Sequence, residues 1–432
     1  MTQSNPARYP RRILARCLLA AGLATALASP SLAETTVRLM HVEANPNYAK
    51  IWRDLADQYQ AAHPGITIDL QFLENEAFKA KLPTLLQSDD APDLFYSWSG
   101  GVLKAQAEAG AVQDLTAAMQ ADGGAWAKSY IPASVAGVTI DGKTLCVPLK
   151  MSVIGFFYNK ALFAKAGVDG DAIKTWDDFT AAVEKLKAAG IVPIAGGGGD
   201  KWPLHFYWSY LALRLGGEAA FTSAKAGENG GFSAPPFVEA STRLRDLGAM
   251  EPFQPGYLGT RWQDTLALFG DGRAAMLLSF DDSAGRQSAA AADGKGIPRE
   301  EIGTFRFPTV AGGASEGTET FGGVNCWAVS RNAKPEALDF VRWFTGPEAE
   351  RTMAEAGMLI PAAAGADAGL KDPIVKGFAA DLAASPYHQL FLDQDLGPSV
   401  GRVVNDVTVE IVSGQMEPEA AGQEIQDAFE LQ

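Results

Sequence analysis

The stretch Ala91-Pro92-Asp93-Leu94-Phe95-Tyr96-Ser97-Trp98-Ser99-Gly100-Gly101 reads as an apolar strand that runs out into aromatic, hydroxyl and glycine residues. It completes a repeating order. Upstream lie the strand Thr36-Val37-Arg38-Leu39-Met40, a polar loop from His41 to Asn47, a helix, the strand from Ile66 to Phe72 and a second helix. Strands alternating with helices put the chain in the α/β class. In an open α/β sheet the ligand sits beyond the carboxyl ends of the strands, so the loops after these strands are the first places to look for a site. The first helix shows how local the logic is. Asn45 can cap it, Pro46 fits its first turn, and Tyr48, Ile51, Trp52, Leu55, Tyr59 and Ala62 follow helical spacing until His63-Pro64-Gly65 ends it.

The 33 residues before this unit read as a secretory signal. Arg8, Arg11, Arg12 and Arg16 form a basic n-region, Cys17 to Ala28 an apolar h-region, and Ser31-Leu32-Ala33 a small-x-small cleavage signal before Glu34. The apolar run is too short to span a bilayer, which takes about 20 residues. Removing the signal deletes four arginines and no acid, which moves the formal net charge from −15 to −19. So acidic a surface disfavours nucleic acid and anionic membranes. The remaining 399 residues exceed one compact core and predict two domains. Cys146 and Cys326 both lie in apolar, strand-like contexts and read as two buried free thiols, although export permits a disulfide.

Further helices are predicted over Trp176 to Ala189, Pro335 to Phe344, Pro347 to Ala356 and Pro418 to Phe429. Apolar runs from Ser152 to Tyr158 and from Ala274 to Phe280 read as strands buried on both faces. Nothing marks a tandem repeat or a low-complexity linker, so the chain is expected to cross between its domains more than once.

An ordered set of stretches resembles the family 1 extracellular solute-binding proteins of bacterial ABC importers, the maltose-binding-protein-like group. They are Ala91 to Phe95, Pro148 to Lys160, Lys174-Thr175-Trp176-Asp177-Asp178-Phe179, Leu268 to Met276, Phe321-Gly322-Gly323 and Phe340 to Glu348. The resemblance implies a two-lobe periplasmic-binding-protein fold of the class II type, with hinge strands and an interlobe ligand cleft. Lobe 1 is expected to comprise 34–149 plus 305–327, and lobe 2 to comprise 150–304 plus 328–432. Crossings are expected near Lys150-Met151-Ser152, Thr304 to Phe307 and Cys326 to Ser330. It further implies a monomer in the periplasm that hands a di- or oligosaccharide to inner-membrane ABC permease subunits, with no cofactor, metal or catalytic residue.

A sugar cleft needs aromatic faces for the apolar side of a pyranose, and carboxylates, amides or arginines for hydroxyls that both donate and accept. Strand ends supply both. Glu43 and Asn45 follow the first strand, with a helix cap as the alternative for Asn45. Trp98, Ser99 and Gly100 follow the third. Asp200 and Trp202 inherit the carboxylate and platform roles of the second lobe by resemblance. Asp281 and Asp282 stand where relatives often carry an aromatic platform, which reduces the expected stacking rings to Trp98 and Trp202. Asn325 opens the last hinge. Asp395 and Arg402 belong to a segment, Phe391 to Arg402, that resembles a ligand-touching one in relatives; a salt bridge between the two is the alternative. The Asp-Gln-Asp-Leu-Gly-Pro run is similar to that of binders of raffinose-type or other α-1,6-linked sugars, which points to an α-galactoside or α-glucoside such as melibiose or raffinose.

Two other functions compete. Gly313-Ala314-Ser315-Glu316-Gly317 has the spacing of a nucleophile elbow, which needs a strand before it and a helix after it, but its flanks read as loop. Paired acids suggest glycoside hydrolysis, yet adjacent residues on one turn rarely straddle a bond. Within the binding class, acids plus aromatics also suit a polyamine or another small solute.

Overall fold

The structure is a computed structural model describing residues 34–432; the export signal read at the N-terminus lies outside them. The strands in chain order are β1 (Thr35–His41), β2 (Ile66–Phe72), β3 (Leu94–Trp98), β4 (Thr139–Ile140), β5 (Lys143–Thr144), β6 (Val147–Asn159), β7 (Met276–Phe280), β8 (Ile302–Phe305), β9 (Thr320–Val329), β10 (Ile360–Pro361) and β11 (His388–Leu390). β4 and β5 make a small hairpin. The others join in one branched sheet that runs β10-β6-β9-β3-β1-β2, with β7 and β8 attached to β6 and β11 to β9. β1 pairs in parallel with β2 and β3, Thr35 opposite Ile66 and Leu39 opposite Leu94, as the alternating strands and helices require. Asn45 caps the helix Pro46–Ala62, its side chain accepting from the Asn47 and Tyr48 N–H groups. That helix buries Tyr48, Trp52, Leu55 and Tyr59 on the sheet, each large side chain contributing about 1.5–3 kcal/mol by leaving water.

Two long strands belong to both lobes. Val147–Val153 of β6 pair antiparallel with β9, whereas Ile154–Asn159 pair with β7 and β8. β9 takes β11 alongside Thr320–Gly322 and β3 alongside Asn325–Val329. Both strands are buried along almost their whole length, which suits their mostly apolar sequences. The chain therefore crosses at Val153–Ile154 in β6 and at Gly322–Val324 in β9. Phe321 of β9 packs in the second core and Val324 in the first.

These crossings shift the expected lobe boundaries. Phe305, Phe307, Val310 and Phe321 pack in the second core, not with lobe 1. Phe340, Trp343 and Phe344 pack on Tyr59 and Trp52 of lobe 1, not with lobe 2. The helix Pro335–Phe344 carries its apolar residues at helical spacing and lays Phe340 against Tyr59 with ring centroids 5.0 Å apart. Periodicity identifies that buried face but carries no information about which sheet receives it. The two cysteines also depart from expectation: Cys146 and Cys326 form a disulfide with Cα atoms 5.8 Å apart. Pairing of β6 with β9 sets Val147 opposite Trp327 and Pro148 opposite Cys326, which brings the sulfurs together. An apolar neighbourhood surrounds a buried disulfide as readily as a buried thiol.

Candidate functional site

The strand ends converge on an open cleft between the lobes, with about 1090 Å³ of free space including the solvent at its mouth. Lobe 1 contributes Glu43 after β1, Glu74 and Lys79 from the helix following β2, and Tyr96 and Trp98 of β3. Lobe 2 contributes Asp200 and Trp202, Trp262, Phe280 and Asp282, and Phe391 with Asp393 and Gln394. The hinge supplies Lys150 and Asn325. The mixture is aromatic and carboxylate-rich.

Of the residues read from the sequence, Glu43, Trp98, Asp200, Trp202, Asp282 and Asn325 line this cleft. The others lie beside it. Asn45 spends its side-chain oxygen on the helix cap. Ser99 is buried and donates its N–H to the Val324 carbonyl at 3.1 Å. Gly100, at φ +76°, is the turn that lets β3 enter the helix Gly101–Glu108. Asp281 is turned into the hinge, where its Oδ1 accepts from the Val153 N–H at 3.0 Å. Asp395 pairs with Lys225 at 3.0 Å rather than with Arg402, which is exposed on the helix Gly397–Val412. Within that segment the cleft-lining positions are Asp393 and Gln394. One helical turn, Leu392–Asp395, separates residues facing the cleft from one facing Lys225, and single-residue direction within a turn is not legible in a sequence.

The aromatic count exceeds the expected pair. Trp202 packs among Phe206, Trp262 and Phe280 with ring centroids 5.5, 5.6 and 5.8 Å away. Trp262 is oriented from both ends, its indole N–H donating to Ser279 Oγ at 3.1 Å and its backbone N–H to Asp200 Oδ2 at 2.8 Å. Phe280 immediately precedes the paired acids, so a platform stands one residue before the place where the sequence reading missed it. In lobe 1, Lys79 lies 5.5 Å from the Trp98 ring centroid, within cation–π range.

The charges are arranged in pairs. Arg286, on the helix Ser283–Ala290, donates to Glu43 Oε1 at 2.7 Å and Oε2 at 2.8 Å, and its Nε donates to Asp282 Oδ2 at 2.9 Å. Lys150 stands 3.9 Å from the same Asp282 oxygen. An acid and an arginine four apart on one turn, Asp282 and Arg286, was the available signal for this residue. Asp393 is held by His205 at 3.1 Å and by Gln394 at 2.8 Å. Burial opposes its ionisation, yet the charge and hydrogen bond of His205 hold the carboxyl down at about 2. Asp200 moves the other way: burial raises its pKa, with the negative charges of Glu74 and Glu76 adding to the shift and the Trp262 N–H working against it. Three buried polar atoms of cleft-lining residues lack a partner, Trp52 Nε1, Trp202 Nε1 and Asp282 Oδ1.

The serine motif is structural. Ser315 bonds to Glu319 and accepts from Arg214 at 3.3 Å in a loop before β9, with no helix following it. Among the described residues there is no group of three or more His, Cys, Asp or Glu side chains fit to hold a metal ion. Nor is any described helix long and apolar enough to cross a membrane.

Residues 45–351 match the family described as bacterial extracellular solute-binding protein. An uncharacterised ABC transporter extracellular-binding protein of Pyrococcus horikoshii is 27% identical over 336 residues, 77% of this chain and 72% of that one. A solved structure described under xylan utilisation by the thermophilic bacterium Caldanaerobius polysaccharolyticus superposes with a TM-score of 0.84 at 25% identity, covering 91% of this chain and 99% of the other. A chitin oligosaccharide binding protein superposes with a TM-score of 0.81 at 26% identity, covering 92% and 98%.

Proposed function

Because the chain belongs to the bacterial extracellular solute-binding proteins, we propose that it is the exported, periplasmic sugar-binding component of an ABC importer, which takes up a di- or oligosaccharide and passes it to inner-membrane permease subunits. The observation that carries this reading is the composition of the interlobe cleft. Trp98, Trp202, Trp262 and Phe280 offer ring faces, and Asp200, Asp393, Gln394 and Asn325 stand among them. Aromatic faces suit the apolar side of a pyranose, and hydroxyls bonded to ionised side chains give the stronger hydrogen bonds, roughly 1.5–3 kcal/mol each. The unpartnered Trp202 Nε1 is a donor and Asp282 Oδ1 an acceptor. A hydroxyl answers both needs, and leaving either buried atom unmet costs about 1–3 kcal/mol. The likeness to a chitin oligosaccharide binding protein supports a chain of sugar rings. An α-1,6-linked α-galactoside or α-glucoside remains the linkage the Asp393–Pro398 run favours, with Asp393 and Gln394 as its contacts in place of Asp395 and Arg402. Binding proceeds without turnover.

A thermal-shift and calorimetric panel tests the reading, with melibiose, raffinose, xylo-oligosaccharides, chitin oligosaccharides and putrescine as probes. Stabilisation by one saccharide class, with no product formed on prolonged incubation, is expected. Stabilisation by putrescine alone would make the protein a polyamine binder.

A further inference from the structure

The two lobes touch directly at two places on the edge of the cleft, and each contact leaves no room for a side chain. Beside Glu43 and Arg286, Gly285 of lobe 2 meets Tyr48 of lobe 1; a Cβ on Gly285 would lie 2.3 Å from Tyr48 Oη. Beside Trp98 and Gln394, the Gly100-Gly101 turn of lobe 1 meets the backbone of lobe 2. A Cβ on Gly101 would lie 2.5 Å from Gly397 N and 2.8 Å from Asp395 O. The first contact carries the Glu43–Arg286 pair. It is bidentate and nearly dry, the two residues being 8% and 7% exposed. The guanidinium lies 5.0 Å from the Tyr48 ring of lobe 1 and 5.6 Å from the Trp262 ring of lobe 2. Glu43 is fully engaged. Its Oε1 accepts from the Asn45 N–H at 2.7 Å as well as from Arg286, and Oε2 takes the second guanidinium N–H. It has little capacity left for a ligand hydroxyl, so its work is on Arg286.

We propose that Glu43 and Arg286 form an interlobe clasp that sets the length of the ligand. With the clasp made, the cleft is bounded along its length by the two lobe contacts, and a saccharide lies between them. A longer chain laid along the cleft runs into the Glu43–Arg286 contact or the Gly101–Gly397 contact, and passing either one separates the lobes. Asp282 holds the guanidinium from its own helix, so Arg286 is pre-aimed before the lobes meet. This proposal rests on the saccharide reading above.

Calorimetric titration of the mature protein with xylobiose, xylotriose and xylohexaose, and with the matching chitin di-, tri- and hexasaccharides, tests it. In the class that binds, affinity is expected to peak at two or three rings and to fall at least tenfold at six. Glu43→Gln keeps the shape but replaces the charged clasp with a neutral amide, and it should shrink that length ratio several-fold. Its radius of gyration without saccharide, measured by small-angle scattering, should exceed that of the wild type. Gly285→Ala, which leaves both clasp residues intact but holds the lobes apart at Tyr48, should act the same way. Equal or tighter binding of the hexasaccharide by the wild type overturns the proposal, as does a length ratio and radius unchanged in both variants. If none of these oligosaccharides binds, and neither do melibiose and raffinose in the same titration, the saccharide reading itself fails and the length limit with it, while the scattering comparison still decides whether the lobe clasp exists.

Discussion

Replacing Asp281 with Asn removes a titration from the hinge. Asp281 is 2% exposed; its Oδ1 accepts from the Val153 N–H at 3.0 Å and its own N–H donates to the Val153 carbonyl at 2.9 Å. The pair holds β6 where it leaves one lobe for the other. Burial first, and the charge of Asp282 second, push the Asp281 carboxyl from 3.8 up to about 7, against the opposing pull of Lys150. In the unfolded chain the same group ionises near 3.8. Between these two pH values the folded protein binds more protons than the unfolded chain, so this group makes stability fall as pH rises. At roughly 1.4 kcal/mol per pH unit, the loss amounts to about 4 kcal/mol, complete by about pH 8. Asparagine resembles the protonated acid and keeps an acceptor for the Val153 N–H, so the variant lacks this slope. Urea unfolding of both proteins from pH 4 to pH 8 measures it. The variant's stability should rise relative to wild type between pH 4 and 7 and then level off. Taking the difference cancels groups such as Asp393, whose depressed pKa works in the opposite sense. A difference that stays flat across the series would refute the argument that burial and Asp282 keep Asp281 protonated in the folded hinge.

Trp202→Ala removes a ring that is 8% exposed and lines the cleft. A loss of about 2–4 kcal/mol in saccharide affinity is expected by calorimetry, and wild-type affinity would remove Trp202 from the site. Replacing Cys146 and Cys326 with Ser opens a 180-residue link across the hinge strands; urea unfolding should show a loss of about 2–5 kcal/mol, equal to that of the reduced wild type.

The local elements were legible because their causes are local. Asn45-Pro46 and the apolar stripe from Tyr48 to Tyr59 suffice to start, orient and bury one helix. The near-continuous apolar runs from Ser152 to Tyr158 and from Ala274 to Phe280, in β6 and β7, announce strands covered on both faces. Strand ends rich in Trp, Gly and acids marked the cleft walls, and Glu43, Trp98, Asp200, Trp202, Asp282 and Asn325 are found there. The signals weaken wherever two distant segments have to meet. Trp262 and Arg286 sit in ordinary helical contexts, and their roles come from neighbours brought up by the fold.

What the sequence determined by itself is the α/β order and the chemical character of the cleft, because propensity, periodicity and strand-end composition act over a few residues; the two-lobe fold class followed from the resemblance of its ordered stretches to the family. Tertiary structure alone decided which core receives the helix Pro335–Phe344, that Cys146 reaches Cys326, and that Asp393 rather than Asp395 faces the cleft. It also decided that Glu43 is spent on Arg286, 243 residues away in the chain. Each of these depends on the register of β6 against β9 and on how two lobes meet, and pairings over such separations are set by packing geometry, which no local pattern of side chains encodes.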